Sequence, residues 1–320
     1  MSTKGKRWIV RSRRKFLDIV TRDVLLQATI DCKSDRKLSD ELRVPIGVVQ
    51  ERRKQYGIKS GRSDESIEKI RLQKLDSALV GCIVGTVLGD GFLGLNKQKT
   101  LAYLSISHGH VQKEWIEYKY NKLSDLIIMP LRYGERPRYE NENEILKFYT
   151  FSTVFHPDLF EIRKLLYDVN GKKHVTKEAL DLLTYEGFIW WFFDDGCANV
   201  SYYHETNKIR QKYYSLATCQ FSLEEQKLIR KMLYSKFGIK TTIMKTIQKS
   251  SGKTYYTLYF ASETKYKVSE ILFKLPLKSM EYKIIRPSET ASKALSNEMM
   301  IQSDLIGDNK NIAETSMSQS

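Results

Sequence analysis

Apolar residues recur along this chain with two different periods, and the periods change in blocks. Near the start, Val24, Leu25 and Ala28 keep helical spacing, and Leu38, Leu42, Val44, Val48 and Val49 continue it. Residues 38–58, LSDELRVPIGVVQERRKQYGI, predict a helix, a tight turn and a second helix of about Ile46–Tyr56. Ser39 reads as the cap of the first helix, and Pro45 as the residue that ends it and seeds the next. Further on, Ala78–Asp90 is an almost wholly apolar helix that ends in Gly-Asp-Gly. Residues 187–196, GFIWWFFDDG, form a second such helix ending in Asp-Asp-Gly. The elements after each of these helices are alike. An alternating strand (Leu101–Gly109; Tyr213–Phe221) leads to a helix (Val111–Leu126; Leu223–Phe237). Two more strands come next (Leu131–Tyr139 and Ile145–Ser152; Thr241–Gln248 and Tyr255–Ser262), then a closing helix (Pro157–Tyr167; Ser262–Phe273). The pattern, rather than residue identity, makes this an internal repeat. It predicts an α+β chain built as a tandem αββαββα pseudo-dimer, preceded by a small all-α region.

Charge divides the 320 residues further. The chain carries 53 Lys+Arg against 38 Asp+Glu, a net of +15. Residues 1–75 account for +10 of it, residues 286–320 for −2, and the middle for +7. The reading is a basic arm at 1–20, a helix-turn-helix-like DNA-binding domain with its linker at 21–74, repeat halves at 75–172 and 173–287, and a disordered tail at 288–320. The helix-turn-helix resemblance rests on residues 38–58. A second helix of that kind enters the DNA major groove. Here it buries Val48 and Val49 and offers Gln50, Arg52, Arg53, Lys54 and Gln55. The bland alternative is an amphipathic pair with a solvated basic face. A surplus of +15 points to a polyanionic partner, nucleic acid or an acidic membrane. Residues 78–88, the best apolar stretch, fall short of the roughly 18 needed to span a bilayer. Cys32, Cys82, Cys197 and Cys219 lack zinc spacing and read as free thiols in a reducing compartment.

The chemistry sits at the two apolar helices. Gly81, Gly85 and Gly89 form an i, i+4, i+8 stripe, and each glycine inside a helix costs up to about 1 kcal/mol relative to alanine. Close approach of a second backbone is the natural reason. If the two helices pair, Asp90 and Asp195 emerge side by side at one end. Two such carboxylates repel unless a cation lies between them, and oxygen ligands suit Mg²⁺. A metal so held activates water and stabilises the leaving oxygen of a phosphodiester.

GTVLGDG (Gly85–Gly91) and WFFDDG (Trp191–Gly196) resemble the two copies of the motif that names the LAGLIDADG homing endonucleases. The flanks support the resemblance: KKHVTKEALDLLTYEGFIWWFFDDG (Lys172–Gly196), SLATCQFSLEEQKLIRKMLYSKFGI (Ser215–Ile239) and LPLKSMEYKI (Leu275–Ile284). It covers residues 76–287 and is closest to single-chain, intron-encoded members with both motifs in one polypeptide. The resemblance implies two antiparallel, saddle-shaped sheets lying over the DNA major groove. It implies Asp90 and Asp195 as metal ligands and catalytic acids, with the backbone carbonyls of Gly89 and Asp194 completing the coordination. It also implies a supporting lysine from each half, Lys173 and Lys283, with Lys172 and Lys177 as alternatives to Lys173. Three positions depart from the family pattern. Leu88 stands where a second acid is common, Trp190 stands opposite Gly85, and His174 and Thr176 follow Lys173 in place of Thr and Pro.

The function so implied is a site-specific double-strand DNA endonuclease of the homing type, using Mg²⁺ with Mn²⁺ as a substitute. It would act as a monomer on a duplex target and inside a cell: bacterial or phage-host cytoplasm, with an organelle left open. The alternatives are an intron maturase that binds its own intron RNA, and a non-catalytic DNA-binding regulator; both acids are present, which counts against the latter. No membrane partner is expected. On the strands, Tyr103, Lys147, Tyr149, Lys212, Tyr213, Lys245, Lys249, Tyr255 and Tyr259 read as a basic, aromatic DNA-contacting face, against the alternative of an ordinary solvated sheet. Trp190 and Trp191 read as core. His108 and His110 read as a cap or a phosphate contact rather than a metal site.

Overall fold

The computed structural model describes residues 16–286 except 32, 34, 59–63, 139–140, 205, 207 and 251. Most of the basic arm, Cys32 and the acidic tail therefore lie outside the described residues. Two hydrophobic cores are present, one small and one large.

The small core belongs to α1 (Arg22–Ile30), α2 (Asp35–Leu42) and α3 (Ile46–Tyr56). Val20, Leu25, Ala28, Leu38, Val44, Val48 and Val49 are buried together there, most of them residues that keep helical spacing in the sequence. The turn between α2 and α3 is tight, and Arg43 takes a left-handed φ of 52° in it. Ser39 does not cap α2. It lies inside the helix, buried, and its hydroxyl donates to the Val44 carbonyl at 2.5 Å, which ties the turn to the helix. Gly57, at φ 63°, closes α3 in the left-handed geometry that favours glycine.

Helix α4 (Asp64–Leu72) leads into the larger body and is fastened to it. Arg71 Nε donates to the Phe155 carbonyl at 3.0 Å, and Asp158 accepts from Lys74 Nζ at 2.7 Å and from the Leu75 amide at 2.9 Å. Two αββαββα units come after it. The first runs α5 (Ser77–Leu88), β1 (Phe92–Leu95), β2 (Ala102–Gly109), α6 (Lys113–Lys122), β3 (Arg132–Arg138), β4 (Asn141–Ser152) and α7 (Pro157–Leu166). After a short α8 (Lys177–Leu182), the second runs α9 (Tyr185–Asp195), β5 (Gly196–Tyr202), β6 (Ile209–Leu216), α10 (Leu223–Phe237), β7 (Thr241–Ile247), β8 (Thr254–Phe260) and α11 (Lys265–Phe273). The sheets are antiparallel, with strand orders β1-β2-β4-β3 and β5-β6-β8-β7. Strands β1 and β5 start directly after the motif acids and escape sequence reading. The first is only four residues long, and neither shows a clean alternation.

Helices α5 and α9 pack against each other at the centre of one continuous core drawn from both units. A helix apolar on all sides has to be buried on all sides; residues 81–88 and 187–194 are buried throughout. The glycine stripe sets how closely they approach. A Cβ added at Gly85 would fall on the Gly187 carbonyl, 2.6 Å from its carbon, and one added at Gly187 would lie 2.7 Å from the Gly81 carbonyl carbon. The mate of Gly85 is thus Gly187, a turn before the motif-equivalent Trp190, so the pair crosses closely but unsymmetrically. Trp190 and Trp191 are fully buried core residues. No helix among the described residues is long and apolar enough to cross a membrane.

Candidate active site

Both motif acids sit where their central helices run out. Asp90 follows α5 and Asp195 is the last residue of α9. A helix C-terminus carries partial negative charge, so it is the unfavourable end for a carboxylate. The electrostatics agree. Burial first, then the charge of Asp194, raises the Asp90 carboxyl above its usual range. Burial, then Asp90 and Asp194, pushes Asp195 up to about 7. Lys173 and Lys283 pull both acids back down. Two partly desolvated carboxylates in each other's field, with backbone carbonyl oxygens beside them, form a set that fits a hard divalent cation.

The lysines reach the same place from outside the motifs. Lys173 Nζ donates to the Gly89 carbonyl at 2.6 Å. Lys283, only 8% exposed, donates to the carbonyls of Phe193 at 2.6 Å and Asp194 at 2.8 Å. Each therefore grips the backbone beside one acid, an approximate two-fold arrangement. Burial lowers both ammonium pKa values, and the three nearby aspartates act in the opposite direction. Lys172 is exposed, and Lys177 is exposed and paired with Asp181 at 2.6 Å, so Lys173 is the lysine of the three that stands at the acids. The Gly89 and Asp194 carbonyls, expected as metal ligands, already accept from these lysines, and each keeps a second lone pair.

The side chain of Asp194 has a different place from the turn carboxylate it resembles in sequence. It is buried, and both its oxygens accept from Lys119 Nζ, at 2.6 and 2.8 Å. Trp115 Nε1 (2.9 Å) and the Thr86 hydroxyl (2.8 Å) donate to it as well. Burial would raise this carboxyl, but Lys119, His108 and the hydrogen bonds outweigh it and hold it below its usual value. His108 is not a cap or a phosphate contact: it is 3% exposed and lies between Asp90 and Asp194. Asp90, His108 and Asp194 thus offer ligand atoms within 4.8 Å of one another. Sequence reading misses Lys119, Trp115 and Thr86. The available signal is a lysine on the same face of α6 as Trp115 and Ile116, where an apolar residue belongs.

The open sheet faces, opposite the helices, carry the remaining candidates, and strand register sorts them. Leu104, Ile106, Phe151, Tyr214, Leu216 and Leu258 point into the helix-covered core. Tyr103, Tyr213, Tyr255 and Tyr259 have the opposite parity and line the open faces, where Tyr213 stacks on Tyr259 at 5.6 Å. Lys147, Tyr149, Lys212 and Lys245 do not join them. His108 pairs with Tyr149, Val200 with Lys212 and Lys245 with Tyr256, all on the helix-bearing face. The reason is the two-residue period of a strand: Lys212 and Tyr213 are neighbours and cannot share a face. Arg132 and Arg136, opposite Thr150 and Leu146, are open-face cations that sequence reading passes over. Lys249 lies in the β7–β8 turn.

In the N-terminal module, Gln50 and Lys54 are exposed on α3, as anticipated. Arg53 is not a DNA-facing residue. It is 5% exposed and donates to Asp35 at 2.7 Å and to Thr29 at 2.8 Å, an internal strut of the module. Arg52 is half-buried, with its Nε on the Leu17 carbonyl at 3.1 Å. Arg53 and Lys54, though neighbours, should therefore respond differently to mutation. Arg53→Ala is expected to destabilise the module by about 2 kcal/mol, since it strands a partly buried carboxylate. Lys54→Ala should leave melting unchanged and, on the expectation that α3 meets DNA, reduce the salt slope of DNA binding by about 1. Thermal denaturation and filter binding across a salt series check the pair.

The model of the LAGLIDADG DNA endonuclease family matches residues 80–267. The chain belongs to that family. Among solved structures, this LAGLIDADG chain is similar to the homing endonuclease I-WcaI bound to its DNA recognition sequence. The TM-score is 0.59 at 18% identity, covering 72% of this chain and 96% of that one. Among curated relatives, it is 26% identical over 215 residues to the cytochrome b mRNA maturase bI2 of Debaryomyces hansenii, covering 66% of this chain and 74% of the maturase. It is 24% identical over 204 residues to Protein RecA of Mycobacterium shimoidei, spanning 45% of that protein.

The raised carboxyl of Asp195 has a consequence for pH. The native state keeps this proton up to about 7, whereas the ordinary value for an aspartate is 3.8. Its stabilising contribution is therefore complete below 3.8 and is lost as the pH rises through about 7. In chelator, the melting temperature of this LAGLIDADG protein is expected to fall over that range, and Asp195→Asn to flatten the fall. Calorimetry across a pH series decides it.

Proposed function

We propose that the chain is a homing-type, site-specific double-strand DNA endonuclease that hydrolyses phosphodiesters with a divalent metal, Mg²⁺ or in its place Mn²⁺. The observation that carries this reading is the pair of motif acids at the ends of two interlocked helices, each beside a lysine, one buried and one half-buried. Asp90 and Asp195 would hold the metal, which when bound supplies an activated water and neutralises the leaving oxygen. Lys173 and Lys283 would fix the backbone that presents each acid and add positive charge near the developing phosphorane. Arg132, Arg136 and the open-face tyrosines would hold the duplex, and Gln50 and Lys54 of the N-terminal module would extend the contact beyond the saddle. The protein would act as a monomer, since both acids come from one chain. Its place would be intracellular.

The test is selection from a randomised duplex library incubated with the protein and Mg²⁺, followed by sequencing of cut ends. Cleavage of both strands at a constant offset within one sequence is expected; absence of cleavage in Mg²⁺ and in Mn²⁺ overturns the reading. A second reading, binding of intron RNA, is favoured by the likeness to a cytochrome b mRNA maturase. Competition between the selected duplex and structured RNA in a filter assay separates the two.

A further inference from the structure

The two acids are not held alike. His108, the penultimate residue of β2, lies on the buried face, with Nδ1 3.5 Å from Asp90 Oδ2 and Nε2 3.2 Å from Lys119 Nζ. Lys119 is fully buried, its ammonium shared among Thr86 Oγ1 (2.7 Å), Asp194 and His108, over the rings of Trp115 (4.5 Å) and Trp190 (5.5 Å). Nε2 also lies 3.5 Å from Asp194 Oδ1; because an ammonium donates and has no acceptor, the shorter contact, to Lys119, favours Nε2 as the accepting nitrogen. The ring's own proton then lies on Nδ1, the nitrogen nearest Asp90.

Among the described residues, the second half has no such chain. Strand register equates Ser105 with Ser215, because each pairs with the residue just after a motif glycine, Phe92 in one case and Cys197 in the other. His108 is then matched by Thr218, and Lys119 by Ile229. Thr218 turns its hydroxyl to Gln226 Oε1 at 2.8 Å, and Ile229 is fully buried. A charged relay occupies one half where a neutral pair occupies the other.

We propose that His108, its tautomer set by Lys119, is a positioning residue for Asp90, so that the two acids are unequally pre-organised and the two DNA strands are cut with separable rates. The proposal rests on the endonuclease reading above. The Nδ1–H dipole, 3.5 Å from Asp90 Oδ2, biases the orientation of that carboxylate before a metal arrives, and among the described residues no imidazole stands at Asp195 in the same way. Outer partners of this kind are worth about 10–100-fold in metal affinity.

The experiment uses the full chain on the duplex recovered from the selection, each strand labelled at its own end, with His108→Leu and His108→Asn. The first variant removes both ring nitrogens; the second keeps an N–H donor near the Nδ1 position. Quenched-flow cleavage gives the two nicking rates. Mn²⁺ titration by electron paramagnetic resonance, on an uncleavable phosphorothioate duplex, gives metal affinity apart from turnover. His108→Leu is expected to slow one strand at least about 10-fold more than the other and to weaken one Mn²⁺ site by about 10-fold, and His108→Asn to restore much of both. Equal slowing of both strands, or an unchanged rate ratio with unchanged Mn²⁺ binding, overturns the positioning role. A wild-type protein that neither cuts nor binds Mn²⁺ overturns the endonuclease reading on which it rests.

Discussion

Asp90→Asn and Asp195→Asn are each expected to abolish double-strand cleavage while leaving duplex binding nearly intact. The loss should be at least on the order of 10²–10³-fold, the size found when one preorganised stabiliser of developing charge is removed. Binding survives because the acids add negative charge at the floor of a basic face and contribute nothing attractive toward phosphate. The amide keeps the shape of the carboxyl, so packing at the ends of α5 and α9 is undisturbed. Relieving the mutual repulsion should make each variant more stable than the wild type in chelator above the pH of about 7 at which Asp195 ionises. Cleavage on the selected duplex, filter binding and melting in chelator together check this. A variant that still cuts both strands removes the acids from the mechanism.

The largest structural effect is expected at the helix crossing. In Gly85→Ala or Gly187→Ala the new Cβ meets backbone, not the tip of a movable side chain. Helices α5 and α9 carry the core of both units, so neither can retreat without opening that core. The cost should reach or exceed the roughly 3 kcal/mol at the top of the usual range for overpacking. Urea denaturation measures it. Gly109→Ala is the control, since no atom lies within 4 Å of its added Cβ and its φ of −59° suits alanine. If Gly85→Ala unfolds like the control, the close crossing is not what the glycines are for.

Much of the fold is legible in the sequence because its signals are local. A run such as Phe188–Phe193 can only be a buried segment, and the recurrence of one element order after Asp90 and Asp195 exposes the duplication. The acids stand out because each ends an apolar helix. The supporting groups do not, because nothing local distinguishes them. Lys119 looks like one of many helix lysines, and His108 like a strand-end residue. Each acquires its role only when α6 and β2 pack on the two central helices and close a space that Asp194 enters from the other half. Arg53 misleads for a related reason. Its charge argues for the surface, while Asp35 and Thr29, which make burial tolerable, are 18 and 24 residues away.

By itself, the sequence determined a repeated element order that lacks only the first strand of each unit, a helical module ahead of the repeats and an acid at the end of each central helix, since periodicity and composition act over a few neighbouring residues. Only the tertiary structure decided that Gly187 rather than residue 190 meets Gly85, that Lys173 rather than Lys172 or Lys177 reaches the acids, and that Lys147, Lys212 and Lys245 lie on the helix-bearing face. Those outcomes depend on strand register and on which surfaces come together. Such surfaces are joined through contacts between residues far apart in the chain, whose free energy no local pattern records.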